Sequence, residues 1–149
     1  MLDLKITIIR IVLAALLGGL IGLEREKKGR NAGLRTHILV CTGSSLIMLV
    51  SLYVFEMYQG KVPVDPSRIA AGVVTGIGFL GAGTIMASAE GVKGLTTAAS
   101  IWVSSAIGLA VGCGFTSAAV VATIVTFATL AFLKHIEKKL EVTEKTDKS

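Results

Sequence analysis

The sequence predicts an all-α integral membrane protein, a bundle of about five transmembrane helices, and three features carry that prediction. Of 149 residues, 52% are hydrophobic and 17% are charged, with a mean hydropathy of +0.75, far from the average soluble domain. Uncharged apolar runs long enough to cross a hydrocarbon core of about 30 Å recur along the chain. The basic residues gather in two clusters instead of spreading over a solvated surface.

The runs lie at 4–23, 37–58, 69–87, 97–112 and 116–133. Residues 1–133 thus form one membrane domain, and 134–149 form a short basic tail. The first run lacks a small-x-small cleavage site and is followed by Glu24-Arg25-Glu26-Lys27-Lys28, so it reads as a retained span and not as a signal peptide. Glu24 with Lys28 and Glu26 with Arg30 are i,i+4 acid-to-base pairs that extend this helix by a turn before Gly29 ends it. Asp65-Pro66 reads as the N-cap and first residue of the third helix. A single helix over 97–133 would be too long for a bilayer, so the stretch Gly112 to Gly114 is expected to be a tight turn. The tail is expected to be a fraying helix followed by disorder.

The basic clusters set orientation. Arg25, Lys27, Lys28, Arg30 and Arg35 follow the first span, and Lys134, Lys138, Lys139, Lys145 and Lys148 follow the last. Both belong on the cytoplasmic side by the positive-inside rule, which requires an even number of spans between them. Five spans satisfy this, with the N-terminus outside and the C-terminus in the cytoplasm. The basic charge then reflects topology and contact with anionic lipid, and nucleic acid is not implied.

The Gly-rich run from Arg68 to Gly83 allows two readings. Gly76, Gly78 and Gly81 spell the G-x-G-x-x-G dinucleotide fingerprint, which needs a preceding strand, a following amphipathic helix and an acid about 20 positions on. Here the surrounding run from 69 to 87 is uncharged and the next acid, Glu90, is too close. The membrane reading makes the glycines places where helices touch. Small-xxx-small spacing at Gly18 and Gly22, Gly72 and Gly76, and Gly108 and Gly112, with Gly78, Gly81 and Gly83, would let helix backbones approach closely. Some of these surfaces hold the bundle together, and others are available to a second copy or to another membrane protein.

A faint duplication accompanies them. Arg10-Ile11 and Arg68-Ile69 open similar runs at an offset of 58, and Gly33-Leu34-Arg35-Thr36 and Gly94-Leu95-Thr96-Thr97 open the next spans at an offset of 61, which also matches Ser44 to Ser105. Spans one and two would then repeat in parallel as spans three and four, with the fifth appended, the alternative being chance similarity of Gly/Ala-rich spans. A repeat brings the N-termini of spans two and four together on the cytoplasmic side. Their free amides beside Arg25, Arg35, Lys93, Thr36, His37, Thr96 and Thr97 make a candidate site for an anion or an anionic partner. In the alternative, Thr36 and Thr97 only cap their helices.

Arg10 is the one charge well inside a span, and Glu56 at a similar depth on the second span is its expected partner. Cys41 and Cys113 differ in expected depth by roughly 18 Å, so no disulfide is expected. No enzyme motif appears, and no cofactor is called for. Whether a metal binds is left open: the spans hold no carboxylate near the midplane, and Glu24 and Glu26 could at most hold a hydrated Mg²⁺ at the surface.

Gly22-Leu23-Glu24-Arg25-Glu26, Ala32-Gly33-Leu34-Arg35-Thr36-His37, Arg68-Ile69-Ala70-Ala71, Gly76-Ile77-Gly78-Phe79-Leu80-Gly81-Ala82-Gly83 and Lys93-Gly94-Leu95-Thr96-Thr97-Ala98-Ala99 closely resemble the MgtC/SapB family of bacterial inner-membrane proteins, in order over residues 10–115. Asn31 departs from the proline of many members. The resemblance implies a membrane protein linked to growth at low magnesium and, in some pathogens, to survival inside macrophages. It also implies a regulator of other membrane proteins, such as the F-type ATP synthase, in place of a magnesium pump. A small-solute or Mg²⁺ transport component is the alternative. Longer members carry a cytoplasmic ACT-like domain beyond the last span, which the 16 residues after Leu133 are too few to form.

Overall fold

In the computed structural model, residues 3–89 and 91–146 are described, the last of these (134–146) by backbone alone. The chain forms five helices, α1 (Leu4–Lys27), α2 (Leu34–Tyr58), α3 (Ser67–Ala82), α4 (Leu95–Cys113) and α5 (Thr116–Thr146), with a hairpin of β1 (Met86–Ser88) and β2 (Gly91–Lys93) between α3 and α4. Four helices are long and apolar enough to cross a membrane. Large apolar side chains such as Leu16, Leu39, Phe79 and Ile124 lie exposed on the outer faces, where a lipid surround accommodates them.

The ends of the elements follow local chemistry. Asp3 caps α1 through the Lys5 amide, and Gly29, at φ 62°, turns the chain after the helix. Glu24 and Lys28 approach to 2.6 Å as the spacing predicts, but Glu26 accepts the Leu34 amide at 2.7 Å instead of reaching Arg30. At α3, Asp65 accepts both the amide (2.8 Å) and the hydroxyl (2.6 Å) of Ser67, and those bonds hold its carboxyl below the usual carboxylate range. The tight turn is centred on Gly114, at φ 90°. The helix expected at the start of the tail is present, as α5 continues to Thr146; Lys134, Lys138, Lys139 and Lys145 have no described side chains, and 147–149, where disorder was expected, lie outside the described residues.

The third span is corrected in length. An uninterrupted apolar run does not continue as helix to Ala87; α3 ends at Ala82 after 16 residues, about 24 Å of rise. Beyond it the Thr84 and Ile85 amides reach back only three residues, to Gly81 and Ala82. The chain then extends into the hairpin, pairing Met86 with Lys93 and Ala87 with Val92. Gly94, at φ 96°, lets it re-enter a helix with the Thr84 carbonyl packed directly against the glycine.

At the centre stands α2, clasped by α1 and α4. A Cβ added at Gly18 would lie 2.6 Å from the His37 carbonyl oxygen, one at Gly22 2.7 Å from Leu34 Cα, and one at Gly112 2.6 Å from the Ser45 carbonyl oxygen. Gly108 sits even closer to the Cys41 carbonyl. Only glycine permits these approaches. Small residues also fill the seam between α2 and α4, where His37, Cys41, Ser44 and Ser45 face the buried Thr97, Ser100, Ser104 and Ser105. The apolar core lies beside it, built on Leu17, Ile21, Ile107 and Val111.

Helices α2 and α4 run parallel, and both start from a glycine N-cap, Gly33 and Gly94, without a side-chain cap. Thr36 and Thr97 are therefore not the caps. Ser44 and Ser105, the positions equated by the 61-residue offset, hydrogen-bond each other at 2.9 Å, as mates on a pseudo-twofold axis would.

The clasp separates the glycines by consequence. Gly108→Val should overpack the interface and lower unfolding free energy in detergent by about 1–3 kcal/mol or more, whereas Gly76→Val, which faces open space, should leave the isolated chain's thermal midpoint nearly unchanged. Equal midpoints for the two variants would contradict the clasp.

Candidate functional site

The basic end of the bundle is assembled from the end of α1 and the starts of α2 and α4, with α5 behind. Arg25, on the last turn of α1, is only 3% exposed. Its Nη2 donates to the Thr97 hydroxyl oxygen at 3.0 Å, bridging α1 to α4, while its Nε–H has no partner among the described residues. Neighbouring Glu24 is also buried. It touches Lys28, but no donor meets its carboxylate oxygens in good hydrogen-bond geometry, so the 2.6 Å approach is an ion-pair contact from an unfavourable angle. Lys28 in turn donates to the Leu130 carbonyl at 2.6 Å and the Ala131 carbonyl at 3.3 Å, tying α1 to α5.

His37, completely buried, continues the network on the other side of Thr97. Its Nδ1 lies 2.8 Å from the Gly33 carbonyl, which fixes Nδ1 as a donor, and its Nε2 lies 3.1 Å from the Ser100 hydroxyl. Ser100 is also 2.8 Å from the Thr97 carbonyl. Its single proton can go to only one of the two. A neutral imidazole takes that proton on Nε2; a cationic one donates to Ser100, which then donates to Thr97. The geometry serves both states.

The expected site residues do not all converge. Arg25, Thr97 and His37 join one buried network through Ser100. Thr96 meets Arg25 across a cleft of about 290 Å³ that is also lined by Lys28, Arg30, Thr129, Leu130 and Leu133. Arg35 and Lys93 are exposed and Thr36 is half-buried; none of the three lines the cleft. Ser100 and Arg30 escaped the sequence reading: Ser100 is one of many small residues in its span, and Arg30 looks like any loop base. The two helix N-termini also differ. That of α2 is occupied by the Glu26 carboxylate, and that of α4 has no side-chain cap.

At the opposite end, Arg10 is held by the end of α4. Its Nη1 donates to the Gly112 carbonyl at 2.8 Å, and its guanidinium packs over Gly114. Gly112 lies in the last turn of α4, where carbonyls lack an intrahelical donor, so Arg10 is satisfied as a cap for that helix. Cys41 and Cys113 are free thiols, one buried and one exposed. Among the described residues no group of three His, Cys, Asp or Glu side chains could hold a metal; Glu24 and Glu26 are committed to Lys28 and the Leu34 amide.

The glycines of α3 depart most from expectation. Gly72, Gly76 and Gly78 have nothing within contact distance of an added Cβ, Gly83 meets only its own helix, and Gly81 makes an ordinary 3.7 Å contact with Ala98. Gly72 and Gly76 instead line an apolar groove of about 470 Å³ between α2 and α3, walled by Leu39, Ile47, Ile69 and Leu80.

The MgtC family profile matches residues 11–139. The chain belongs to the MgtC family. Among curated MgtC-type relatives, YhiD of Escherichia coli K12, named as a candidate magnesium transporter, is 46% identical over 135 residues, covering 89% of this chain and 63% of its own. The protein MgtC of Brucella abortus strain 2308 is 44% identical over 128 residues, covering 86% of this chain and 51% of its own. MgtC of Salmonella typhimurium strain 14028s is 42% identical over 133 residues, with coverage of 89% and 54%. This chain therefore spans between about half and two-thirds of the length of these relatives. No solved structure matches it significantly.

The contact between Arg25 and Thr97 is the link between α1 and α4 at this end of the MgtC bundle. A double-mutant cycle with Arg25→Gln and Thr97→Val should give a coupling of about 1.5–3 kcal/mol, the range for a hydrogen bond to a charged group. Additive effects would show that the two side chains do not interact.

Proposed function

We propose that this MgtC-family chain works by binding other membrane proteins, as a regulator used in adaptation to low magnesium. The supporting observation is the groove between α2 and α3. A helix with small-xxx-small spacing normally buries that face against a neighbour, because lipid supplies no hydrophobic drive and close packing is what holds helices together. Here Gly72 and Gly76 stay open beside apolar walls, and an apolar transmembrane helix of a partner fits that chemistry. The family resemblance points to a membrane subunit of the F-type ATP synthase as one such partner, and to a role in intracellular survival. The protein lies in the bacterial inner membrane with its basic end in the cytoplasm, which agrees with Arg25, Lys27, Lys28 and Arg30 all standing at one end of the bundle.

Transport of Mg²⁺ or a small solute is the second reading, favoured by the name given to the E. coli relative and by the buried, unpartnered Ser45 and Ser104 hydroxyls in the seam between α2 and α4. One experiment separates the two. With a photo-crosslinker installed at Gly76, illumination of native membranes should capture a membrane protein that is not captured from Phe132, while liposomes holding the purified chain and a magnesium-sensitive dye should show no flux above empty vesicles. Flux with no groove-specific adduct would overturn the regulator reading.

A further inference from the structure

We infer that the cleft at the basic end is a binding site for a phosphate group, which docks at the start of α4 between Arg25 and Arg30. Three observations converge there. The first is charge. Arg25, Lys28 and Arg30 line the cleft, and among the described residues Glu24 is the carboxylate that approaches them, so the described lining carries two positive charges in excess. Part of that excess is buried: Arg25 is 3% exposed, one face of its guanidinium is used by Thr97, and its Nε–H has no acceptor. Burying a cation without a full counter-charge is costly, and an oxyanion in the cleft that Arg25 lines supplies one.

The second observation is the helix end. Thr96 lies in the first turn of α4, whose N-cap, Gly94, supplies no side-chain acceptor. The amides of such a turn point outward and carry the positive end of the helix dipole. The third is an internal comparison. Helix α2 begins from the equivalent glycine, Gly33, and its first amide is met by the Glu26 carboxylate. Offsets of 58 and 61 carry Glu26 to Thr84 and Ala87, which cannot supply a negative charge. The same architecture is therefore filled by an internal oxyanion in one half and left for an external one in the other.

The shape of the cleft limits the ligand. At about 30 Å³ of liquid volume per water, 290 Å³ is the space of about ten waters, enough for a phosphate and part of its ester. The α5 side of the cleft is built from Thr129, Leu130 and Leu133, an apolar wall beside a basic floor. The phosphate can thus arrive as inorganic phosphate or on the headgroup of an anionic lipid. The site stands apart from the groove at α3 and does not depend on what binds there.

The full chain, purified in detergent, is titrated with inorganic phosphate against chloride of equal ionic strength while its thermal midpoint is followed, and its retained phospholipid is weighed by native mass spectrometry after exchange into phosphatidylglycerol-containing micelles. Arg30→Gln, an exposed position that leaves the buried network intact, should weaken binding about tenfold, as expected for loss of one charge-assisted contact. Thr96→Glu places a carboxylate in the first turn of α4, beside the cleft; it should raise the thermal midpoint and abolish the response to phosphate. A saturable, phosphate-specific rise identifies free phosphate as the ligand, and a phosphatidylglycerol adduct lost in both variants identifies the headgroup. Absence of both effects in the unmodified chain, equal binding by Arg30→Gln, or a lowered midpoint in Thr96→Glu would overturn the inference.

Discussion

The backbone-to-backbone approach of α1 and α4 to α2 is the constraint on which the rest of the molecule depends. Helices in lipid gain nothing by hiding leucine from a solvent that is itself hydrocarbon, so their association rests on close packing and on polar contacts that short distances make possible. Gly18, Gly22, Gly108 and Gly112 supply those distances. With α2 held in this way, the side chains that reach across are short: Ser44 meets Ser105, and His37 meets Ser100. Longer residues in the seam would part the helices and leave the hydroxyls and the imidazole without partners.

The same constraint places the charges. Arg10 and Arg25 sit on one helix, 15 positions apart in sequence, and each reaches a group at one end of α4, the Gly112 carbonyl and the Thr97 hydroxyl. Helices α1 and α4 are thus pinned at both ends by guanidinium donors and held between them through α2. A charge in a span is expensive unless paired or aimed at backbone carbonyls, and Arg10 meets that condition at the Gly112 carbonyl only because the helices are in this register. Helices α2 and α4 both start from a glycine N-cap and differ in the chemistry around it. Glu26 closes the start of α2, while the start of α4 opens on a basic cleft.

Much of this was legible in the sequence. Five helices, the turn at Gly114, the parallel relation of spans two and four and the basic end follow from apolar run length, glycine placement and charge clustering, all of which act locally or along the membrane normal. What was not legible depends on direction around a helix or on the choice between secondary structures. The run from 69 to 87 is equally apolar as helix or strand, so the end of α3 at Ala82 and the hairpin that follows leave no mark in hydropathy. Gly72 and Gly76 have the same spacing as Gly18 and Gly22, and spacing alone does not say whether the neighbour belongs to the same chain. The bond of Arg10 to the Gly112 carbonyl was also hidden, because a helix-end carbonyl is an acceptor that a list of charged residues never shows. Thr97 was selected beside Arg25; the alternative that it caps α4 fails because Gly94 is the N-cap, and its hydroxyl accepts from Arg25.

The central claim is that α2 and α4 are parallel, pseudo-symmetric mates that meet at Ser44 and Ser105, whose oxygens lie 2.9 Å apart. Cysteines at these two positions, in a chain with Cys41→Ala and Cys113→Ser, have the proximity a disulfide needs. Mild oxidation of native membranes should convert that chain rapidly to an intramolecularly crosslinked monomer, seen as a mobility shift on a non-reducing gel that reductant reverses. A chain that stays reduced, or that crosslinks only between copies, would contradict the account.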